Sequence, residues 1–140
     1  MGEKTAPQFH KPLPQPSPVT QPFWDGLKAR QVRIQRCAEC GRHVFYPRTL
    51  CPHCLSRRLE WVAASGRGRV YTYTVVRRAM HPAFQPETPY LFAIVELEEG
   101  IRLPTNIVNC RPEDARVDMP VKAVYDDVTP EITLLKFEPE

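Results

Sequence analysis

Five short runs in the second half of the chain alternate apolar with polar positions and are rich in β-branched and aromatic residues. A two-residue period of this kind predicts β-strands. The runs cover residues 69–76, 90–96, 102–108, 121–125 and 132–137. Between the third and the fourth, residues 111–115 place a proline before two acids, which is typical of a short helix. Five strands with one helix at that point predict an OB-fold barrel, so the expected fold class is mainly β.

The segment before the barrel has a different pattern. Phe23 and Leu27 share a face at a spacing of four residues, which predicts a short helix over residues 22–30. Residues 32–36 then alternate and predict a strand, and residues 59–61 predict its returning partner. We therefore expect an N-terminal helical segment over residues 23–35 that leads into a second small structural unit.

The first 22 residues contain six prolines and little that a core would bury. Proline disfavours helix and lacks a backbone donor, so residues 1–22 are predicted to form an extended or disordered arm. Such an arm is more typical of a solvated spacer than of a ligand for a proline-binding groove, and both roles are consistent with its composition.

Four cysteines form two CxxC pairs, Cys37 with Cys40 and Cys51 with Cys54, separated by ten residues. Two turns of this kind facing each other complete a tetrahedral site with no open position, which predicts a structural zinc ribbon. An iron centre with the same four ligands is the less favoured alternative. The fifth cysteine, Cys110, stands apart and is expected to be a small buried residue.

The ribbon is assigned to residues 36–64 and the OB-fold domain to residues 65–140. The ribbon is too short to bury a self-sufficient core, so metal binding should contribute on the order of 10 kcal/mol to its folding. Its histidines, His43 and His53, are expected to face solvent because four thiolates already fill the metal's coordination shell. Glycine follows the first knuckle at Gly41, whereas leucine stands at the corresponding position of the second.

Composition and charge refine this picture. Hydrophobic residues make up 42% and charged residues 25% of the chain, and no apolar run reaches the length of a membrane span. With no secretory signal pattern, a cytoplasmic protein with reduced thiols is expected. Residues 28–78 hold twelve basic and two acidic side chains, whereas residues 79–140 hold five and twelve. The basic half is suited to phosphates, nucleic acid or an acidic protein surface.

No catalytic motif is found: the sequence contains no GxSxG, no phosphate-binding loop and no HExxH. His81 lacks a neighbouring acid or base in sequence, so a general-base role is disfavoured. Tyr71 and Tyr73 alternate on one predicted strand, with Phe92 on the next. Aromatic residues on an OB face can stack nucleic-acid bases, but they are more often core or interface residues.

The order of features resembles a known family. The matching stretches are 23–27 (FWDGL), 35–37 (QRC), 51–54 (CPHC), 61 (W), 65–68 (SGRG), 70–76 (VYTYTVV), 81–84 (HPAF), 89–90 (PY) and 105–108 (TNIV). They resemble the bacterial and archaeal zinc-ribbon/OB-fold family of acyl-CoA-associated proteins, long catalogued as a domain of unknown function. The resemblance covers roughly residues 22–138, and the two departures from it are Leu55 and Pro104, which is awkward inside a strand and implies an edge or a bulge.

The resemblance implies a helical segment, a rubredoxin-like ribbon and an OB-fold in a non-catalytic accessory subunit. Its implied partners are thiolase-like, lipid-transfer/thiolase-type or hydratase-type enzymes acting on acyl-CoA. The ribbon and helix would then supply the docking surface, and the OB face or its rim the ligand contacts. The candidate ligand-binding residues are Arg67, Arg69, Tyr71, Tyr73, Arg77, Arg78, His81 and Phe84. A single-stranded nucleic-acid-binding module is the rival hypothesis, and a free-standing enzyme is the weakest.

Overall fold

The structure is a computed structural model that describes residues 10–140. Of the predicted arm, residues 1–9 lie outside the described part, and residues 10–17 have no regular secondary structure. A turn at residues 18–20 leads into the helix α1, Gln21–Lys28, which begins one residue before the predicted start. In the described part of the chain, no helix is long and apolar enough to cross a membrane.

Helix α1 packs its apolar face against the rest of the molecule. Phe23 and Leu27 are buried, as the four-residue spacing predicted. Gly26 is buried beside them, and a Cβ there would lie 2.8 Å from Cγ of Arg33 and 2.9 Å from the carbonyl oxygen of Gln31. Glycine lowers helix propensity at this position, but the close approach of the following chain excludes a larger residue.

The ribbon is a three-stranded antiparallel sheet in the order β2–β1–β3. Its strands are β1, Arg33–Cys37, β2, His43–Val44, and β3, Leu59–Ala63. The strand predicted over residues 32–36 is confirmed as β1, but its burial does not alternate, because the neighbouring residues Ile34 and Gln35 are both buried. A central strand covered on both faces does not alternate in burial.

The predicted five-stranded OB-fold is confirmed: the strands close into a barrel in the order β4–β5–β6–β8–β7. They are β4, Arg67–Val76, β5, Tyr90–Leu97, β6, Arg102–Ile107, β7, Pro120–Asp127, and β8, Thr133–Pro139. All pairs are antiparallel except β6 with β8, which meet in parallel at Ile107 opposite Phe137. Pro104 pairs with Ile94 of β5 in a stretch of β6 that has no register pair with β8.

Short 3-10 helices occupy two of the barrel loops. The helix predicted over residues 111–115 is a 3-10 turn of three residues, Pro112–Asp114. A second one, Pro82–Glu87, was not predicted and follows β4. Its first backbone donor is satisfied by His81, whose Nδ1 accepts a hydrogen bond from the Ala83 N–H at 3.1 Å. A histidine side chain that caps in this way is engaged in local structure.

Barrel and ribbon share one hydrophobic core. Phe137 and Val95 lie at its centre with no exposed surface. Val32 and Ile34, from the entry to the ribbon and from its central strand, belong to the same buried cluster. Ala64 extends this contact by donating its backbone N–H to the carbonyl of Val32 at 2.7 Å. The ribbon is therefore supported by barrel contacts as well as by its own residues.

An ion pair ties the C-terminal end of α1 to the barrel. Arg30, in the left-handed region at φ 60°, donates to both carboxylate oxygens of Asp127, at 2.8 and 2.5 Å. Thr133 donates to the same carboxylate at 2.6 Å. The Arg30 hydrogen bonds, followed by that of Thr133, hold the pKa of Asp127 well below its usual range.

Because the folded-state pKa of Asp127 is depressed, the stability it contributes is present above its unfolded pKa and is lost as the pH falls. We expect Asp127→Asn to lower Tm by no more than a few degrees at neutral pH, since the pair is half exposed. The difference from the unsubstituted chain should shrink below about pH 4. Thermal melts from pH 7 to pH 3 test this, with Glu131→Gln as a control at an exposed carboxylate. A difference that grows on acidification would contradict it.

Candidate metal centre and an adjoining groove

The two CxxC turns adopt the same local structure. In the first turn, the Gly41 N–H donates to the carbonyl of Cys37 at 2.9 Å. In the second turn, the Leu55 N–H donates to the carbonyl of Cys51 at 2.9 Å. Gly41 has φ 76° and Leu55 has φ 64°. Leucine at a left-handed position costs roughly 1–2 kcal/mol, so the second turn is held against the preference of its own residue.

The four cysteine sulfurs converge on one point. All lie within 4.8 Å of one another, and Cys37 and Cys51 are fully buried. The sulfur–sulfur distance is 3.5 Å from Cys37 to Cys54 and 3.7 Å from Cys40 to Cys51. Tetrahedral coordination with zinc–sulfur bonds of about 2.3 Å requires sulfurs about 3.8 Å apart. The donor set and its spacing therefore fit a single tetrahedral metal ion.

The pKa values of two of these thiols are shifted in opposite directions. The backbone N–H of Cys40 donates to the Cys37 sulfur and lowers the pKa of that thiol to about 6. The pKa of Cys54 is raised to about 12: the backbone N–H of Ser56 favours its thiolate, but desolvation and the neighbouring sulfurs outweigh that bond. A divalent cation removes this conflict by compensating all four thiolates.

Beside the centre, an exposed ion pair joins the first turn to the residue that precedes β3. Arg58 donates to Glu39 at 2.7 Å, and its backbone carbonyl accepts from the Ala38 N–H at 2.8 Å. His53 is exposed, as expected, whereas His43 is half-buried on β2. Neither histidine belongs to the four-sulfur cluster.

A groove of about 680 Å³ lies where the ribbon and α1 meet the barrel. We call it the ribbon–barrel groove. One wall comes from α1 and from the loop after β2, and the other from β5, β6 and β8. It is lined by Phe23, Trp24, Phe45, Tyr46, Arg48, Phe92, Arg102, Leu103, Pro104, Thr105, Asn106, Leu134, Leu135 and Lys136.

A buried glutamine holds the ribbon wall of this groove. Gln35 on β1 is 4% exposed, and its amide nitrogen donates to the carbonyl of Arg48 at 2.8 Å. Its amide oxygen accepts from the Arg48 N–H at 2.8 Å. The two hydrogen bonds satisfy both the N–H and the carbonyl of Arg48, so they fix the loop that carries Phe45 and Tyr46.

The predicted ligand-binding residues fall at two distant ends of β4. At its start, Arg67 pairs with Glu140 at 3.5 Å, and Arg69 donates to the carbonyl of Asp118 at 3.0 Å. At its far end, Arg77 and Arg78 are exposed. Because β4 is ten residues long, these pairs lie on the order of 30 Å apart and cannot meet one small ligand together.

The two tyrosines of β4 do not share a face. The register against β5 shifts between Val70 and Thr72, so Tyr71 sits at a bulge. Tyr73 points toward the core and donates its hydroxyl to the carbonyl of Ala115 at 2.9 Å. Tyr71 is exposed, and the Arg102 guanidinium lies 3.8 Å from its ring centroid. The bulge therefore separates two residues that simple alternation placed together.

His81 and Phe84 do lie together, next to Arg77 and Arg78 in sequence. Their ring centroids are 5.9 Å apart. Lys11 lies over the Phe84 ring at 5.9 Å and pairs with Glu87. Residues 77–84, which directly follow β4 and run into the 3-10 helix, hold the four candidates that are close in sequence, and we call this segment the β4 tip.

Sequence reasoning missed the ribbon–barrel groove. Of its lining residues, only Phe92 was considered for an exposed aromatic face. The groove joins segments far apart in sequence, and no local pattern brings them together. Cys110 was expected to be buried, but it is half-buried, and burial together with the nearby Asp114 raises the pKa of its thiol.

Two family descriptions match the chain in succession. Residues 24–60 match "ChsH2, rubredoxin-like zinc ribbon domain", and residues 61–126 match "ChsH2, C-terminal OB-fold domain". The boundary between the matches falls inside β3, the strand by which the ribbon leads into the barrel.

Three relatives illustrate how such proteins are named. A "probable enoyl-CoA hydratase alpha subunit" of Thermomonospora curvata is 44% identical over 84% of this chain, which spans 36% of that protein. A "DUF35 domain-containing scaffold protein" of Methanocaldococcus jannaschii is 43% identical over 73% of both chains. The "benzoylsuccinyl-CoA thiolase subunit BbsA" of Geobacter metallireducens is 34% identical over 49% of this chain and 44% of its own.

Among solved structures, a chain of the "Ltp2-ChsH2(DUF35) aldolase" is similar with a TM-score of 0.81 and 40% identity. The likeness covers 91% of this chain and 98% of the other. It therefore extends over the ribbon and the barrel together.

We expect Cys51→Ser to lower the metal content and the solubility of the protein together, because a three-sulfur site loses most of its affinity and the ribbon depends on it. Elemental analysis and thermal melts measure both quantities. Cys110→Ser is the matched control, and it should keep full metal content because Cys110 lies outside the four-sulfur cluster. Retention of metal and melting behaviour by Cys51→Ser would contradict the four-ligand site.

Gln35→Leu should destabilise the protein by about 1–3 kcal/mol, because it leaves the Arg48 N–H and carbonyl without partners. The midpoint of denaturant unfolding at constant m measures this loss. Gln21→Ala, at an exposed glutamine that bonds Asp25 one helical turn away, should cost less than about 0.5 kcal/mol. Equal midpoints for the two variants would show that Gln35 does not hold the loop.

Proposed function

The chain belongs to the DUF35 family of joined ChsH2-type zinc ribbons and OB-folds, and we propose that it is an accessory subunit of a thiolase-like enzyme of acyl-CoA metabolism. The observation that carries this proposal is the likeness, over nearly the whole chain, to a component of the Ltp2-ChsH2(DUF35) aldolase. The thiolase-subunit relative supports the same class of partner. We place the protein in the cytoplasm, where its thiols stay reduced.

The metal in this proposal is zinc, and its role is structural. The match to a zinc-ribbon description supports zinc over iron, whereas the tetrahedral set of four sulfurs fits either metal. Four thiolate ligands leave no position for water or substrate, so the ion would supply folding energy and no Lewis-acid chemistry. The residues that would hold it are Cys37, Cys40, Cys51 and Cys54.

A non-catalytic role suits the remaining titratable groups. A general-base role for His81 is disfavoured by the sequence, and its Nδ1 accepts the Ala83 N–H as a helix cap. Some relatives are named as scaffold proteins, and others carry hydratase names. We propose that the chemistry resides in the partner and that this chain contributes shape and charge to it.

For the acyl-CoA itself, we propose contacts at the β4 tip. Arg77 and Arg78 are exposed and form no ion pair within residues 10–140. Two adjacent guanidinium groups suit the phosphates of CoA. Arg67 and Arg69, also candidates from the sequence, are engaged at the other end of β4 and are left out of this contact.

The proposal is tested by co-expressing the chain with the thiolase-like enzyme encoded nearest to its gene. The two should co-elute, and Arg77→Ala with Arg78→Ala should raise the KM for acyl-CoA about tenfold at similar kcat, a loss of about 1.4 kcal/mol. Arg36→Ala with Arg57→Ala, at two exposed ribbon arginines, is the charge-matched control and should leave KM unchanged. Failure to co-elute, combined with submicromolar binding of a single-stranded oligonucleotide at moderate salt, would favour the nucleic-acid-binding alternative.

A further inference from the structure

Large apolar side chains in the ribbon–barrel groove are exposed to solvent. Tyr46 is 56% exposed and Phe92 is 43% exposed, on opposite walls of the groove. Leu134, Leu135 and Pro104 continue the apolar surface between them. Aromatic side chains held in a concave apolar surface are the typical anchors of protein–protein interfaces.

Two uncharged polar side chains of the groove already bond to the backbone of the chain itself. The Asn106 amide nitrogen donates to the carbonyl of Leu91 at 3.0 Å, and the Thr105 hydroxyl to that of Leu135 at 3.0 Å. No buried side-chain polar atom lacks a partner anywhere in residues 10–140. A specific small-molecule pocket needs polar groups that converge on its ligand. This groove offers mainly apolar surface, which favours a protein segment over a small molecule.

Three cationic residues mark the rim of the groove. Arg102 pairs with Glu96 at 2.8 Å, and Lys136 pairs with Asp126 at 2.6 Å. Arg48 belongs to none of the ion pairs found in residues 10–140, although its backbone is held by Gln35. One guanidinium beside an apolar groove is suited to a carboxylate of the occupant.

The ribbon wall of the groove is already packed through aromatic contacts. Phe23 contacts Phe45 at 5.7 Å between ring centroids, and Phe45 contacts Tyr46 at 5.8 Å. These aromatic contacts run from Phe23 on the buried face of α1 to the exposed Tyr46 at the edge of the groove. Ordering a side chain on binding costs free energy, and a wall that is already packed avoids most of that cost.

From these contacts we propose that the ribbon–barrel groove is the docking site for a segment of the thiolase-like partner. The segment inserts an apolar or aromatic side chain between Tyr46 and Phe92 and places a carboxylate near Arg48. This inference rests on the proposed accessory function and adds the surface and the chemistry of its partner. The β4 tip remains the proposed site of the CoA contacts.

The test measures the Kd of the chain for the same co-expressed thiolase-like enzyme, with purified components. Tyr46→Ala and Phe92→Ala should each weaken binding at least tenfold, because each truncates a central anchor. Val117→Ala removes an equally exposed apolar side chain outside the groove, at 56%, and should leave the Kd unchanged. Thermal melts and metal content of every variant must match those of the unsubstituted chain.

The charge is tested separately. Arg48→Glu should weaken binding more than Arg48→Lys, since the backbone bonds to Gln35 are the same in both. Replacement of Tyr46 by p-benzoyl-phenylalanine should cross-link the partner at a segment that contains an acidic residue next to an apolar one. A cross-link to a segment without any carboxylate would overturn the charge pairing.

The outcomes separate this inference from the proposed function. If the unsubstituted chain binds the enzyme and the groove variants bind equally well, the groove is not the docking site while the accessory function stands. If the unsubstituted chain does not bind, both fail. An acetyl-CoA titration of the isolated chain is the third arm: saturable binding that Phe92→Ala abolishes would make the groove a ligand pocket and overturn the inference.

Discussion

The four-sulfur cluster is the constraint on which the ribbon depends. Apart from the cysteines, its apolar surroundings are the buried Val44 and the partly buried Leu59. This small cluster buries too little apolar surface to hold the two turns together. A cation compensating four thiolates can do so. Because Cys37 is the last residue of β1, the cluster also fixes that strand, and with it the buried amide of Gln35. A metal ion bound there would thus act through one strand on the loop that forms a wall of the groove.

The charge asymmetry of the sequence is partly cancelled by the fold. Arg30 from the basic half pairs with Asp127 from the acidic half, and Arg67 pairs with Glu140. These contacts form because β7 and β8 close the barrel beside β4 and α1. The field offered to a partner is therefore weaker than the sequence implies, and it is concentrated at arginines such as Arg77 and Arg78 at the β4 tip.

Local patterns predicted the fold well, whereas contacts between distant segments escaped them. Cysteine spacing and apolar alternation act within a few residues, so the convergence of the four cysteines and all five barrel strands could be predicted from them. The bulge at Tyr71 arises when a ten-residue strand bends to pair with both β5 and β7, and alternation cannot anticipate it. Gln35 follows a polar pattern yet is buried, because its partner, the Arg48 backbone, lies in a loop thirteen residues away.

The docking groove and the proposed CoA contacts are connected through the pairing of β4 with β5. Phe92 lies opposite Thr74, three residues before Arg77, so along the strand the two sites are about 10 Å apart. A protein seated against Phe92 would therefore have its own surface beside the β4 tip, within reach of one extended ligand. The four sulfurs converge on one metal position, and the Asn106 amide and the Thr105 hydroxyl of the groove are bonded to the backbone. Under the proposed accessory role, this arrangement would complete a site whose chemistry belongs to the partner, with a packed wall for docking and a cationic tip for the ligand.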